Sequence, residues 1–125
     1  LEPFNGTILQ SIVNGTPGGE TIIGTQGVDL INGRDGDDVI YGGLGSDIKS
    51  GGGGEDTFIL NDLSSVDTIL DYTSGEDKID LTELLDGVTL SDANKADYVK
   101  VEGGVLKVDR DGQGDAETFE DAANL

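Results

Sequence analysis

The sequence predicts an all-β solenoid in which short parallel strands alternate with tight turns, followed by a mainly β segment that covers one end. Glycine recurs every nine residues from Gly6 to Gly51, an acid stands five places after most of these glycines, and a large apolar residue usually follows two places later. Such a period is the signature of stacked structural repeats. Neighbouring repeats must pack on one another to bury a core.

The composition excludes several functional classes. The chain has 125 residues, with 26 acidic and 7 basic side chains, a formal net charge of −19, and no Cys or His. This charge repels phosphate groups, and no apolar run approaches the ~20 residues of a membrane span, so we expect no nucleic-acid partner and no direct membrane insertion. Without thiols and imidazoles, the usual nucleophiles, bases and zinc ligands are missing. We therefore expect a non-enzymatic protein whose partners are metal cations, and we expect it to be a monomer.

Five copies of the repeat run from residue 15 to residue 59. They read GTPGGETII, GTQGVDLIN, GRDGDDVIY, GGLGSDIKS and GGGGEDTFI, with glycine at the first and fourth places. The sixth place holds Glu20, Asp29, Asp38, Asp47 and Asp56. The eighth place holds Ile22, Ile31, Ile40, Lys49 and Phe58. The preceding copy lacks the acid, so residues 1–14 are expected to form an N-terminal lead-in or capping strand.

Each copy is expected to form a turn and a short strand. The glycine-rich six residues can adopt positive φ and turn carbonyl groups inward, while the last three are extended and place one apolar side chain inside. With two copies per winding, sixth-place acids two copies apart stack and repel unless a cation lies between them, and an all-oxygen ligand set favours Ca²⁺. The alternative is a disordered Gly/Asp linker. A phase held over 45 residues argues against it, and we expect disorder only without calcium.

These copies match the nonapeptide G-G-x-G-x-D-x-U-x, and the chain resembles the calcium-binding RTX proteins. The resemblance implies a right-handed parallel β-roll over residues 15–59 and a mainly β C-terminal cap over residues 60–125. In this family each ion takes the second- and fourth-place carbonyls and the acid of one turn. The turn two copies later adds its first- and third-place carbonyls and its own acid.

Carried over residue by residue, this pattern implies three to four calcium ions. One site comprises Thr25, Gly27 and Asp29 with Gly42, Leu44 and Asp47. A second comprises Arg34, Gly36 and Asp38 with Gly51, Gly53 and Asp56. A third comprises Thr16, Gly18 and Glu20 with Gly33, Asp35 and Asp38, and the longer Glu20 side chain departs from the pattern. A fourth is implied where Gly43, Gly45 and Asp47 meet the cap.

Two features of the repeats point to contacts with the second half of the chain. Lys49 stands at an inward place, which indicates either a local change near the end of the roll or a contact with the segment that follows. The strands at 21–23, 39–41 and 57–59 have an apolar outer face. We therefore predict that the C-terminal half covers Ile23, Tyr41 and Ile59.

After Leu60 the nine-residue phase is lost. The stretch from Asp67 to Leu85 resembles the segment that follows the last repeat in many RTX proteins, with Tyr72 in place of the usual Phe. Strands are predicted at 57–60, 67–71 and 78–81, then a brief helix from Thr82, and a hairpin of 99–101 with 106–108. Asp67 and Asp71 are candidate ligands of the last calcium ion.

The run from Asp109 to Glu120 matches several places of an EF-hand loop. Asp109, Asp111 and Asp115 are its candidate ligands, with glycine at the sixth place and Glu at the twelfth. The flanking segments do not read as helices. The favoured interpretation is therefore an acidic solvated turn between two strands, and a bound ion is the alternative.

The resemblance also implies a function. RTX regions of this type belong to large bacterial proteins that a type I secretion machinery exports through a C-terminal signal, and this chain is expected to stop before that signal. Such a module stays unfolded at low cytosolic calcium and folds outside the cell. The cap looks most like that of cell-surface adhesins, so we expect a secreted, extracellular module that can be attached to the cell surface. The alternative is the C-terminal domain of an RTX exoenzyme such as a serralysin-type metalloprotease or a lipase.

Overall fold

The computed structural model describes residues 11–63, 65–73, 75–85, 95–110 and 119–125. Within these ranges the chain forms eleven short strands and one helix of four residues. The strands are β1 (Ser11–Asn14), β2 (Thr21–Ile23), β3 (Asp29–Asn32), β4 (Val39–Tyr41), β5 (Ile48–Ser50), β6 (Thr57–Ile59), β7 (Asp67–Ile69), β8 (Lys78–Asp80), β9 (Val99–Glu102), β10 (Val105–Val108) and β11 (Glu120–Asn124). The helix α1 is Lys95–Tyr98. No helix in the described part of the chain is long and apolar enough to cross a membrane.

The strands form two sheets, and consecutive strands of the repeats alternate between them. The long sheet has the order β1-β3-β5-β7-β11-β10-β9, and the short sheet has the order β2-β4-β6-β8. All pairs from β1 to β8 are parallel, and each joins strands two steps apart in the sequence. One winding therefore contains two repeats. This arrangement confirms the predicted parallel β-roll.

The core lies between the two sheets. Along the short sheet, Ile22, Ile40 and Phe58 pair in register, and all three are buried. Along the long sheet, Ile31 and Ile69 are buried on either side of Lys49. Because each three-residue strand contributes one inward side chain, the roll has a narrow core, and burial of these few apolar side chains is small against the ~1–2 kcal/mol that ordering each residue costs.

The cap continues both sheets before it adds strands of its own. Strand β7 pairs with β5, and β8 pairs with β6, so a further winding follows the last repeat. Strands β11, β10 and β9 then extend the long sheet. Strands β9 and β10 form the predicted hairpin across Gly103 and Gly104, which have φ values of 62° and 78°. Positive φ at both central residues is typical of a two-residue type I′ turn.

The prediction that the C-terminal half covers the short sheet is wrong at Ile23. This side chain is 68% exposed, because the added strands extend the long sheet instead. Tyr41 and Ile59 are half-buried, and the Tyr41 hydroxyl accepts a hydrogen bond from Asn61 Nδ2 at 2.5 Å. The helix predicted from Thr82 is one turn within the described residues, closed by the Leu85 N–H and the Leu81 carbonyl at 2.9 Å.

Candidate metal centre

Stacking of the windings aligns the acids in two columns. The short-sheet column consists of Glu20, Asp38, Asp56 and Asp77, and the long-sheet column consists of Asp29, Asp47 and Asp67. Every Asp in both columns is buried, and Asp29, Asp38, Asp47 and Asp56 are each no more than 1% exposed. We call two successive acids of one column a level. The parallel register places them together because each acid stands just before, or at the start of, its strand.

A ladder of hydrogen bonds runs along each column. In the short-sheet column, the N–H of one acid donates to Oδ1 of the acid one winding later, at 3.0 Å from Glu20 to Asp38 and 2.9 Å from Asp38 to Asp56. In the long-sheet column the distances are 2.9 Å from Asp29 to Asp47 and 2.9 Å from Asp47 to Asp67. These bonds satisfy one carboxylate oxygen of each receiving acid and orient the group along the column.

The second oxygen of three acids has no partner. Oδ2 of Asp38, Asp47 and Asp56 is buried without a hydrogen bond to any described residue. An unpaired buried carboxylate oxygen is costly, because the charged group has lost its water. Burial accordingly raises the pKa of the carboxyl groups of Asp38 and Asp56. These oxygens are what a bound cation requires, and their oxygen-only chemistry fits a hard ion such as Ca²⁺.

The cost of burying an ionised carboxylate is largest at Asp47. Burial raises the pKa of its carboxyl group to about 7, and the negative charges of Asp67 and Asp29 act in the same direction. The N–H of Asp29 and the ammonium group of Lys49 oppose this rise. A cation at the column favours the ionised form of the carboxyl group, so its binding at neutral pH is coupled to loss of the proton.

Side chains alone do not complete a calcium site. Within the described residues, no point gathers three or more acidic side chains that could hold a metal. A level supplies two carboxylates, whereas Ca²⁺ takes six to eight oxygen ligands. The remaining ligands must therefore come from backbone carbonyls and water, which is why the composition of the turns matters.

The turns are of two kinds. In the first two repeats, Thr16 and Thr25 stand at the second place and bind the acid of the same turn. The N–H of Thr25 donates to Asp29 Oδ2 at 2.6 Å, and its hydroxyl donates to Asp29 Oδ1 at 2.7 Å. Thr16 makes the corresponding two bonds to the Glu20 carboxylate. Both oxygens of Asp29 and Glu20 are thus satisfied inside their own turns.

In the last three repeats the second and fourth places adopt the left-handed conformation. Arg34 has φ = 74° and Gly36 has φ = 99°, and the pairs Gly43 with Gly45 and Gly52 with Gly54 are similar. These are the turns whose acids Asp38, Asp47 and Asp56 retain an unpartnered oxygen. Unpartnered oxygens therefore occur in the turns whose second and fourth places have positive φ, the conformation that the sequence predicts for turns with inward carbonyl groups.

Two candidate ligands from the cap lie at the roll, but both are satisfied by protein groups. Asp67 Oδ1 accepts from the Asp47 N–H, and Asp67 Oδ2 pairs with Lys49 Nζ at 2.8 Å. Asp71 accepts from the N–H groups of Gly51 and Gly52 at 3.0 and 2.8 Å. Asp71 therefore binds the turn of the last repeat from outside the ladder.

The EF-hand-like run is described only at its ends. Asp109 is buried at the end of β10, and its N–H donates to the Tyr98 carbonyl at 2.8 Å. Asp111 and Asp115 lie outside the described residues. The flanking segments are the antiparallel strands β10 and β11, joined in one sheet. The run is thus a connection between two strands, in contrast to the helices that flank an EF-hand loop.

Asp77, which the repeat pattern does not predict as a site residue, extends the short-sheet column. Its Oδ1 accepts from the Asp56 N–H at 3.0 Å, and its Oδ2 accepts from the Thr73 N–H at 2.8 Å. The spacing from Asp56 is 21 residues, compared with 18 inside the repeats, so the nine-residue phase does not reach it. A shorter signal does, because the triplet Asp-Lys-Ile at 77–79 repeats the acid-x-Ile pattern of Asp-Val-Ile at 38–40.

Comparisons with known proteins agree with this geometry. Residues 14–48 match the RTX calcium-binding nonapeptide repeat in four copies. The chain is also similar to the solution structure of the AlgE6R3 subunit from the Azotobacter vinelandii mannuronan C5-epimerase, with 29% identity and a TM-score of 0.63. That match covers 98% of this chain and 74% of the other. No curated protein sequence matches the chain.

Proposed function

Because residues 14–48 carry RTX calcium-binding nonapeptide repeats, we propose that the chain is a non-catalytic module that folds when calcium binds to its two acid columns. The observation that carries the proposal is the set of three buried carboxylate oxygens, on Asp38, Asp47 and Asp56, that have no hydrogen-bond partner among the described residues. Bound calcium supplies the positive charge that these oxygens lack. The chain supplies the columns, the inward carbonyls and the strands that close over them.

We assign the ions to the levels that the repeat pattern implies. The Asp38–Asp56 level, with the turn of Arg34 and Gly36, has the strongest support, because both acids have an unpartnered oxygen. The Asp29–Asp47 and Glu20–Asp38 levels each have one such oxygen, on Asp47 and on Asp38. At these two levels the threonine of the first turn already binds its acid, so the carboxylate must rearrange or share its hydrogen bonds when the ion binds.

The proposed role is a switch between two compartments. At low cytosolic calcium the buried carboxylates repel, and the narrow apolar core cannot offset the cost of ordering the chain. At the near-millimolar calcium outside a cell, sites of the extracellular class, with Kd of ~10⁻⁴–10⁻³ M, contribute about 1 kcal/mol each. The three to four implied ions act together where they share an acid, as the ions at the Glu20–Asp38 and Asp38–Asp56 levels share Asp38. The module is thus suited to a protein that is exported unfolded by type I secretion and folds outside.

Two kinds of parent protein fit such a module. A cell-surface adhesin fits the resemblance of the cap. An exported enzyme that carries the module as an accessory domain fits the structural neighbour, which is a subunit of a mannuronan C5-epimerase. The segments joined to this module in its parent protein distinguish the two, since tandem all-β domains indicate an adhesin and a catalytic motif indicates an enzyme.

A calcium titration followed by circular dichroism tests the proposed function. We expect weak sheet signal in chelator, a cooperative rise in sheet signal below about 1 mM free calcium, and no comparable rise with magnesium, which dehydrates reluctantly and demands a tighter octahedral site. Hydrodynamic radius should fall over the same calcium range. A domain that keeps its sheet signal and compact radius in chelator would contradict the proposal.

A further inference from the structure

Lys49 is a basic residue in the core of the roll. It stands at the eighth place of its repeat, between Ile31 and Ile69 of the neighbouring strands, and it is 1% exposed. Among the described residues it is the one buried basic side chain. Of the two alternatives that the sequence left open for this residue, the structure shows the contact with the segment after the repeats, because Lys49 Nζ lies 2.8 Å from Asp67 Oδ2.

The lysine side chain leaves the core and turns toward the acid column. A Cβ atom added at Gly42 would lie 2.7 Å from Lys49 Cε, and the Asp47 carboxylate borders the same position. The side chain thus runs beside the Asp47 carboxylate before its ammonium group reaches Asp67. The ammonium group therefore lies at the Asp47–Asp67 level, where the last repeat winding contacts the cap.

The charges of the long-sheet column favour this arrangement. Its carboxylates, on Asp29, Asp47 and Asp67, have a formal charge of −3 when ionised. One divalent ion at the Asp29–Asp47 level and one ammonium group at the Asp47–Asp67 level balance that charge. A second divalent ion beside the buried ammonium group would leave excess positive charge in a site with little water, where repulsion is strong.

We propose that Lys49 is a tethered counter-ion that takes the place of a calcium ion at the Asp47–Asp67 level. The inference rests on the proposed function, since it supposes that calcium binds the other levels. The ion pair with Asp67 leaves Asp47 Oδ2 unpartnered, so that oxygen remains available to an ion at the Asp29–Asp47 level. The fourth ion implied at Gly43, Gly45 and Asp47 is thereby excluded. The last level of the long-sheet column is neutralised by the Lys49 ammonium group and not by a metal ion.

Calcium stoichiometry distinguishes this role from that of Asp67 as a calcium ligand. Isothermal titration and native mass spectrometry of the wild-type domain define the reference number of ions. We expect Asp67→Asn to bind the same number as the wild type, and Lys49→Ile, which introduces the residue that the first three repeats have at this place, to bind one more. The double variant Lys49→Ile/Asp67→Asn should return to the wild-type number and keep the charge balance of the level.

The opposite results overturn the inference. If Asp67→Asn or the double variant binds one ion fewer than the wild type, Asp67 is a calcium ligand; if Lys49→Ile binds the same number, the lysine does not occupy a metal position. A wild-type domain that binds no calcium contradicts the proposed function itself, so the two failures are distinguishable.

A labelling experiment on the wild-type domain keeps the inference testable should the single variants fail to fold. In saturating calcium, a brief pulse of an amine-acetylating reagent should modify Lys78, which is exposed on β8, and leave Lys49 unmodified. Equal labelling of the two lysines would overturn the inference, because a counter-ion held in the column cannot react like a solvated amine.

Discussion

Replacement of Asp38 by Asn is expected to abolish calcium-induced folding at 1 mM calcium or to raise its midpoint by a factor of ten or more. Asp38 belongs to two proposed calcium levels, with Glu20 on one side and Asp56 on the other. The substitution removes one ionised ligand from both. If both ions are lost, about 2 kcal/mol of stabilisation is removed at 1 mM calcium, and the one remaining ion must supply what three supplied, which requires a calcium concentration about tenfold higher.

The same substitution should not weaken the calcium-free state. Burial raises the pKa of the Asp38 carboxyl group, so the ionised form disfavours the fold when no cation is present. An amide keeps an oxygen that can accept the Glu20 N–H and removes the charge. Asp38→Asn is therefore expected to weaken calcium-induced folding without making the calcium-free fold less stable, whereas a generally destabilising substitution would do both.

Asp35→Asn is the matched control. Asp35 is exposed at the third place of the same repeat and contributes only its backbone carbonyl to the proposed ligand set. The Asp35→Asn variant loses the same unit of charge as Asp38→Asn but loses no ligand side chain. Its calcium midpoint should therefore stay within about twofold of the wild type. An Asp38→Asn domain that folds at the wild-type calcium concentration would contradict the assignment of Asp38 as a shared ligand.

Replacement of Gly36 by Ala is expected to destabilise the calcium-loaded roll by about 2–5 kcal/mol. Gly36 has φ = 99°, and an added Cβ would lie 2.5 Å from the backbone of Gly18 and Gly19 in the preceding winding. The left-handed conformation costs ~1–2 kcal/mol for a residue with a Cβ, and overpacking against backbone adds ~1–3 kcal/mol. Urea unfolding at saturating calcium measures the sum.

Two other glycines separate the causes. Gly75 has φ = 91° but no atom within 4 Å of an added Cβ, so Gly75→Ala should show the conformational cost alone. Gly18 stands at the same fourth place as Gly36, yet no atom of the described residues lies within 4 Å of its added Cβ, so Gly18→Ala should be nearly neutral. Equal effects at Gly36 and Gly18 would show that the windings do not approach each other as described.

The regular part of this fold can be predicted from sequence because one signal controls it. Glycine, acid and Ile at fixed places set the turns, the strands and the two-repeat winding, and β2, β4 and β6 fall where that phase puts them. The signal ends when the spacing changes. Asp67 follows Asp47 by 20 residues and Asp77 follows Asp56 by 21, compared with 18 residues for a winding inside the repeats. The nine-residue period therefore does not predict that the ladder of hydrogen bonds continues into the cap.

The unpredicted features depend on contacts between distant residues. Lys49 has no local explanation, because its partner Asp67 lies 18 residues later in a segment without the repeat phase. In the turns of Thr16 and Thr25, the threonine hydroxyl binds the acid of the same turn. The sequence does not predict these hydrogen bonds, because they depend on the side-chain rotamers. Pairing of β11 with β7 makes the last strands of the cap extend the long sheet. The apolar outer face of the short sheet did not predict this pairing.

Anomalous scattering from a crystal of the calcium-loaded domain would locate the proposed ions relative to the two acid columns. We predict calcium peaks at ~2.3–2.6 Å from Asp38 Oδ2, Asp47 Oδ2 and Asp56 Oδ2, the distances of calcium–oxygen ligation. An ordered roll in which water alone contacts these three oxygens would contradict this prediction.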